Sequence, residues 1–476
     1  MNIKNIIVRL QEVEIENLKN VEYGKITLQS YNNLNKQLKG GEINKTADII
    51  GVYGQNGSGK TTLIDSISIL ENLLLGRKIP KDFRYLINNN NDIAKLNFKF
   101  IIEYLDEKVL IDYKVVLGKM VLTKIETNIE EECVVVKEEL LRYSNIKDNK
   151  REMFKKIIDY KIEASDTVFS PKSAYEKVLE YDKNNIINLG VAKAMSMREN
   201  TSFIFNNESL VIFNKAFDRK IVNIINSLVY FARMNLFVIK NEQSGIINMN
   251  SLLPFSFRVE NAGKIISGDY IALFKKSYLN EEQYDILKKI IEQINIVIKT
   301  IIPEMKIGVE EYGKQLDEDG NLTTEIELTS IRNSKGIPLK YESDGIKKII
   351  SILSAIIAMY NNKTICVFID ELDAGIFEYL LGEILGVLEE SAKGQLIFTS
   401  HNLRALEKLK KESIIFTTTN PKNRYVKLTN VKHNNNLRDF YYRTIALGGQ
   451  KESLYDETST FEMKYAFRKA GKILDE

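Results

Sequence analysis

The stretch Gly54-Gln55-Asn56-Gly57-Ser58-Gly59-Lys60-Thr61-Thr62 decides how this chain is read. It fits the pattern G-x-x-x-x-G-K-[ST] at every fixed position. Its flanks fit as well: the short apolar run Asp48–Tyr53 reads as a strand, and Leu63, Ile67, Leu70 and Leu74 recur at helical spacing up to a stop at Gly76. Glycines let a backbone wrap a phosphate chain without a Cβ in the way. The amides of Asn56, Gly57, Ser58 and Gly59 and the helix N-terminus then face the anion, with Thr62 closing the first turn. Lys60 is placed to reach the β- and γ-phosphates, and the Thr61 hydroxyl to ligate Mg²⁺. The alternative is a plain glycine-rich turn between a strand and a helix. Four aligned features with the correct flanks make that the weaker reading.

Three further elements lie far downstream. Ile365-Cys366-Val367-Phe368-Ile369-Asp370-Glu371 is an apolar strand that ends in two carboxylates. A continuous apolar run suits a strand covered on both faces, and the carboxyl ends of such strands are where parallel sheets place ligands. Asp370 is the candidate Mg²⁺ partner and Glu371 the candidate that polarises an attacking water. One strand later comes Thr399-Ser400-His401, where His401 is placed to donate to the γ-phosphate. A lone histidine is ordinarily a surface residue, but this position after the Asp-Glu strand argues for the site. Finally, Glu342-Ser343-Asp344-Gly345-Ile346-Lys347-Lys348 opens a helix, and Ser343 and Gly345 there make either a second anion site or an ordinary N-cap.

The order of these elements resembles an ABC-type ATPase: P-loop, Ser-x-Gly helix start, Asp-Glu strand, strand-end His. Val13-Glu14-Ile15-Glu16-Asn17-Leu18-Lys19-Asn20 resembles the opening motif of the SMC-like and RecF-like branch. Within that branch the chain is most similar to the standalone ATPases of bacterial anti-phage systems, namely the OLD-like, Septu, AbiL and PARIS ATPases. The resemblance implies ATP as nucleotide, with Lys19 near it and with Ser343 and Gly345 contacting ATP held by the other protomer of a homodimer or higher homo-oligomer. It places Leu372-Asp373-Ala374-Gly375 at the D-loop position. The chain departs from the pattern in two ways. The signature reads Glu-Ser-Asp-Gly, and no glutamine lies between Gln55 and Gln243 to serve as a Q-loop residue.

Elsewhere, Val8–Leu28 reads as two strands about a turn near Asn20, and Leu96–Leu105 and Val109–Leu117 as an antiparallel patch with a wet face. The spacing predicts a helix over 281–302, capped by Asn280 with Gln283 three residues on, and hairpin strands over 305–341 around the acidic turn 317–320. From 345 onward helices (345–359, 376–391, 402–411) alternate with strands (364–369, 395–399, 413–418), which implies a mostly parallel sheet. A last helix is expected at 460–471. The whole is an α/β chain: an ABC-type P-loop head with a mixed β lobe and a mainly helical insertion. The expected divisions are 1–145, an N-terminal ATPase lobe; 146–303, the helical insertion; and 304–476, a C-terminal ATPase lobe with signature, carboxylate strand, His401 and tail. Asn436-Leu437-Arg438-Asp439-Phe440-Tyr441-Tyr442-Arg443 mixes bases with aromatics and reads as a packed helix or subunit contact ahead of a nucleic-acid stacking surface.

Composition narrows the function classes. With 476 residues, 44% hydrophobic and 28% charged, the chain is globular and has room for two to three domain-sized units. Lys plus Arg is 67 against 64 Asp plus Glu, so net charge announces no basic nucleic-acid module. Two cysteines, Cys133 and Cys366, exclude a disulfide framework, and two histidines, His401 and His433, exclude a histidine-rich metal site. Met1–Ile15 is interrupted by Lys4, Arg9, Glu12 and Glu14, and the longest apolar run, Ile349–Tyr360, is shorter than the ~20 residues of a spanning helix. The expectation is a soluble, reduced, cytoplasmic protein that does not enter a membrane. On the resemblance, it is the nucleotide-driven sensor or scaffold of a defence system, holding a separate nuclease-like effector and answering a phage-derived trigger. Only 75 residues follow His401, without an Asp-x-Asp among them, so a nuclease must come from another chain. The alternative is a RecF-like DNA-binding repair clamp. A transporter ATPase fits less well, given the missing Q-loop glutamine and the long insertion.

Overall fold

The computed structural model describes residues 6–28, 48–80, 85–104, 107–123, 130–147, 150–163, 167–242, 252–261, 264–273, 276–316, 320–427, 436–447, 451–456 and 458–473. Residues 317–319 of the expected acidic turn, Gln243 and His433 lie outside them. At the centre is a six-stranded sheet. In spatial order it runs β4 (Leu236–Ile239), β5 (Cys366–Ile369), β6 (Gln395–Ser400), β3 (Asp48–Tyr53), β7 (Ile414–Thr417) and β8 (Tyr425–Val426). All pairings are parallel except that of β7 with β8. Residues pointing to opposite faces feed two cores, as the two-residue period of a strand demands. Ile50, Val52, Cys366, Phe368 and Ile397 join one core, and Ile49, Val367, Ile369, Leu396 and Phe398 the other.

The first core is roofed by an eight-stranded antiparallel sheet. It begins with β1 (Ile7–Leu18) and β2 (Val21–Thr27) and continues through 93–104, 107–123 and 130–147 to 155–161 and 169–170, with 150–151 on its margin. Helix α1 (Lys60–Leu74), which follows the P-loop, packs into this core through Leu63, Ile67, Leu70 and Leu74. Arg9 ties roof to centre. Its guanidinium donates to Asp48 at 2.8 Å and to the carbonyls of Lys363 and Lys393, at the entry ends of the parallel strands. The helices 172–181, 185–199, 207–216 and 219–230 lean on the same roof. Glu139, wholly buried on strand 130–147, accepts from Tyr113 Oη, Ser202 Oγ and the Phe203 and Ile204 amides, which anchors the loop between two of those helices.

The second core is covered by α2 (Glu281–Ile301), α3 (Asp344–Asn361) and α4 (Glu378–Ser391). Asn280 and Gln283 form the capping box expected for α2. A hairpin, 252–261 with 264–272, and a four-stranded antiparallel sheet of 277–280, 306–316, 322–332 and 335–338 complete this side.

Two expectations need correction. Residues 402–411 do not form an α-helix. Leu403–Glu407 is a single 3₁₀ turn, because the Asn402 side chain accepts from the Arg404 amide and Ala405 and Leu406 turn into the core at once. The stretch 146–303, expected to be mainly helical, also carries strands at 155–161, 236–239, 252–261, 264–272 and 277–280. The helix Arg219–Tyr230 widens into one π-turn, Phe231–Asn235, and runs straight into β4, a strand of the central sheet. Strand 130–147 crosses the expected boundary at 145.

After β8, α5 (Leu437–Leu447) packs Tyr441 against Phe416 with ring centroids 4.6 Å apart, so the aromatic tail helix is packed into the fold. A final helix, α6 (Thr460–Lys472), follows. No helix among the described residues is long and apolar enough to cross a membrane.

Candidate nucleotide site

Five parallel strands, β3 to β7, end at one edge of the central sheet, and the P-loop, Asp370, Glu371 and His401 lie there. Strand β6 is inserted between the P-loop strand and the carboxylate strand. That order brings Thr399 and His401 between Lys60 on one side and Asp370 and Glu371 on the other.

The loop 54–59 is held from several directions. Gly59 precedes α1 with φ 93°, a left-handed conformation that glycine adopts without a Cβ penalty. The Ser58 hydroxyl donates to the Gln55 carbonyl at 2.6 Å and lies 2.5 Å from Thr417 Oγ1. Tyr425 Oη donates to the Gly59 carbonyl at 2.7 Å. From the β1–β2 turn, Asn20 donates to the Gly57 carbonyl and accepts from Thr62 Oγ1, while Arg424 donates to the Asn20 carbonyl at 2.6 Å. The tail residue Asp456 pairs with Gln55, its amide donating to Oε1 at 3.1 Å and its carboxylate accepting from Nε2 at 3.3 Å. Asn56, Gly57 and Thr61 are left facing outward.

Lys60 Nζ donates to the carbonyls of Gly54 and Gln55 at 2.8 and 2.9 Å, curled over the loop a phosphate would fill. Burial pulls its pKa below the ordinary lysine value, while the negative charges of Asp370, Glu371 and Asp373 oppose that shift. Thr399 organises the acids: its hydroxyl donates to Asp370 Oδ1 at 2.6 Å and accepts from the Glu371 amide at 2.7 Å. Glu371 has φ 48°, so the chain turns sharply there. Asp373 Oδ2 then accepts from the amides of His401 and Asn402 at 3.1 and 2.9 Å, linking the turn after β5 to the histidine. Burial, and then Lys60, push the His401 pKa below its usual value, against the opposing charges of Asp373, Glu371 and Asp370.

Thr61, exposed in the first turn of α1, and Asp370, buried at the end of β5 with one oxygen oriented by Thr399, offer the hard oxygen donors that suit Mg²⁺. No group of three or more His, Cys, Asp or Glu side chains that could hold a metal occurs among the described residues.

Two predicted residue sets lie apart from the loop. Lys19 Nζ pairs with Asp65 of α1 at 2.5 Å, and the neighbouring Asn20 donates to the Gly57 carbonyl of the loop. Ser343 caps α3, accepting from the Ile346 amide at 3.4 Å, and is exposed. Gly345 lies against the turn after β5: a Cβ there would sit 2.0 Å from the Gly375 carbonyl oxygen. No hydrogen bond among the described residues joins Ser343 or Gly345 to the P-loop of their own chain.

Sequence reasoning missed Lys240, which follows β4 and reaches Asp65 at 3.2 Å. It also missed Lys348, buried on α3, whose pKa is lowered by burial against the opposing charges of Asp370, Glu371 and Asp373. Thr417, Arg424 and Asp456 were missed too. A second lysine in an apolar helix was a visible signal for Lys348. Asp456 offered none, since it lies 401 positions from its partner.

Residues 29–376, most of the chain, match the KAP family P-loop domain. The chain belongs to the KAP family of P-loop NTPases. The match ends before His401, so that histidine and the tail of this KAP-family chain stand on the geometry above. No curated protein matches it in sequence. Among solved structures, an Smc head bound to the C-winged helix domain of ScpA is 13% identical, with 89% of this chain and 98% of that chain covered and a TM-score of 0.42. The SMC head domain from Thermotoga maritima is 13% identical, over 88% and 99%, with a TM-score of 0.36. RecF bound to ATP, from the RecFOR pathway, is 10% identical, over 84% and 94%, with a TM-score of 0.34. Scores this low carry no argument of their own, and the P-loop NTPase assignment rests on the family match and the sheet order.

Proposed function

We propose that the chain is an SMC-like ABC ATPase that hydrolyses ATP at a composite site between two copies. In this role it is the nucleotide-driven sensor or scaffold of a bacterial anti-phage system and controls a separate, nuclease-like effector. One observation carries the ATPase reading. A buried Lys60, two strand-end carboxylates and His401 converge on the loop 54–59 at the edge of a parallel sheet.

In this reading Lys60 exchanges its two carbonyl partners for the β- and γ-phosphates. Bound Mg²⁺, held by Thr61 and Asp370, would neutralise phosphate charge. Glu371 orients the attacking water, and His401 donates to the γ-phosphate. The exposed Ser343 and the N-terminus of α3 cap the γ-phosphate of ATP bound to the other copy. The Gly345–Gly375 contact supports this arrangement, because it couples the capping helix to the turn that carries Glu371 and Asp373. Closing and opening of the dimer then moves the helices packed on the roof, which is how a switch would signal to an effector.

The test has two parts. Purified protein should turn over ATP, and Lys60→Ala should not. Cells carrying the chain with its neighbouring genes should resist phage, and Glu371→Gln should abolish the resistance. Absence of protection with the parental chain would remove the defence role, and protection that survives Glu371→Gln would remove its dependence on ATP hydrolysis. Protection lost together with DNA repair in uninfected cells would favour the repair-clamp reading.

A further inference from the structure

Residues 451–456, which precede α6, run from the turn between β7 and β8 to the P-loop. Their rear is firmly fastened. Glu452 accepts from the side-chain amides of Asn420 and Asn423, each at 3.0 Å, and the Ser453 carbonyl accepts from the Thr419 amide at 2.9 Å. Leu454 is buried in the second core. The turn beneath is itself fixed, because the Pro421 carbonyl accepts from the Glu22 and Tyr23 amides of β2, both at 2.9 Å. The tip is held differently. Tyr455 and Asp456 are exposed, and Asp456 meets the P-loop through the Gln55 side chain at 3.1 and 3.3 Å. Solvent-exposed hydrogen bonds of this kind contribute little each. A firm base with a weakly held tip is the construction of a releasable contact.

Gln55 is where the resting contacts of the loop converge. Its carbonyl accepts from Lys60 Nζ at 2.9 Å and from Ser58 Oγ at 2.6 Å, while its side chain is taken by Asp456. Lys60 has to leave that carbonyl to meet a phosphate, so a contact that fixes Gln55 favours the loop without nucleotide. Charge acts in the same direction. Asp456 sets a carboxylate beside a loop that receives a polyanion, and like charges at the mouth of an anion site cost affinity. Among the described residues, no other carboxylate is hydrogen-bonded to residues 54–59.

We propose that residues 451–456 are an autoinhibitory strap. With Asp456 on Gln55 the loop is held in its nucleotide-free arrangement, and bound nucleotide drives the tip off the loop. The inference rests on the P-loop binding nucleotide and is independent of the composite site. Coupling of this kind is reciprocal: the strap weakens nucleotide binding by the factor by which nucleotide weakens the hold of the strap. The two effects are measured separately and have to agree in sign.

The test uses the full chain and a fluorescent, non-hydrolysable ATP analogue with Mg²⁺. Asp456→Asn keeps the shape and the backbone bond to Gln55 but removes the charge. It should bind the analogue roughly 3–10-fold more tightly than the parent at low salt, with the gap narrowing as salt screens the carboxylate. Glu452→Ala unties the rear of the strap and should shift binding in the same direction with unchanged circular dichroism. The chain contains no tryptophan, so Tyr455→Trp reports on the tip alone. Acrylamide should quench that fluorescence more strongly once the unlabelled analogue is bound, and adding Lys60→Ala should abolish the change. Equal or weaker binding by Asp456→Asn would overturn the inference, as would Tyr455→Trp fluorescence whose quenching stays the same or falls with nucleotide. In both cases the parent still binds the analogue. A parent that binds none would instead remove the P-loop reading, and the strap with it.

Discussion

The P-loop and the start of α3 are both glycine-containing helix N-termini at the same end of the fold, yet they are built differently. The P-loop is tied by Asn20, by Thr417 and Tyr425 of the paired strands β7 and β8, and by Asp456, three distant parts of the chain. Among the described residues, Ser343 makes its own helix cap, and Gly345 lies against the backbone of Gly375. One N-terminus is enclosed and complete within a chain. The other is supported from behind and open in front. The contrast teaches that a short motif at a helix start is not one kind of site: one is closed in by distant parts of its own chain and the other is left open in front.

Damage to the two sides should therefore separate. The largest expected effect is at the acids between them. Glu371→Gln keeps the shape but cannot take a proton, so turnover should fall by roughly 10²–10⁴-fold with ATP still bound, measured by single-turnover hydrolysis. Next, Lys60→Ala should cost roughly 10²–10³-fold in turnover and weaken nucleotide binding, measured by fluorescent ATP titration. Intact binding with normal turnover would remove the P-loop from the account. On the open side, Gly345→Val drives a side chain into the Gly375 carbonyl. It should cost about 1–3 kcal/mol of stability and most of the turnover, while ATP titrates as in the parent. Smallest is Thr417→Val, which leaves the Tyr53 carbonyl and the Ser58 hydroxyl short of a partner. It should lower the unfolding free energy by about 1 kcal/mol in urea, with nucleotide affinity slightly weakened.

Much of the enclosed side was legible in sequence because its signals are local. Glycine spacing, the apolar strand before the loop and the Asp-Glu ending after Phe368 each lie within about ten residues. The alternation after 345 implied the parallel sheet for the same reason. What stayed hidden was set by tertiary packing. Leu236–Ile239 is only four residues long and follows a helix without a glycine or proline break, so nothing local marks it as a strand. Its pairing with Cys366–Ile369 does. The turn at Leu403–Glu407 carries helical spacing, but an Asn402 cap and two inward residues end it after one turn. Lys19 sits in the motif position expected near the nucleotide; its pairing with Asp65, one turn into α1, and the contact of Asn20 with the loop were not visible in sequence.

The central claim is that the open helix start completes a site on another copy, and Ser343→Arg tests it most directly. The substitution lies at an exposed cap, outside both cores and away from the P-loop of its own chain. ATP binding by equilibrium titration and hydrolysis by phosphate release should be measured on the same preparation. The account predicts near-parental binding with hydrolysis lost, and partial return of hydrolysis on mixing with Lys60→Ala, since each mixed pair then has one site free of both lesions. Parental hydrolysis by Ser343→Arg alone would contradict it and leave a P-loop NTPase that works within one chain.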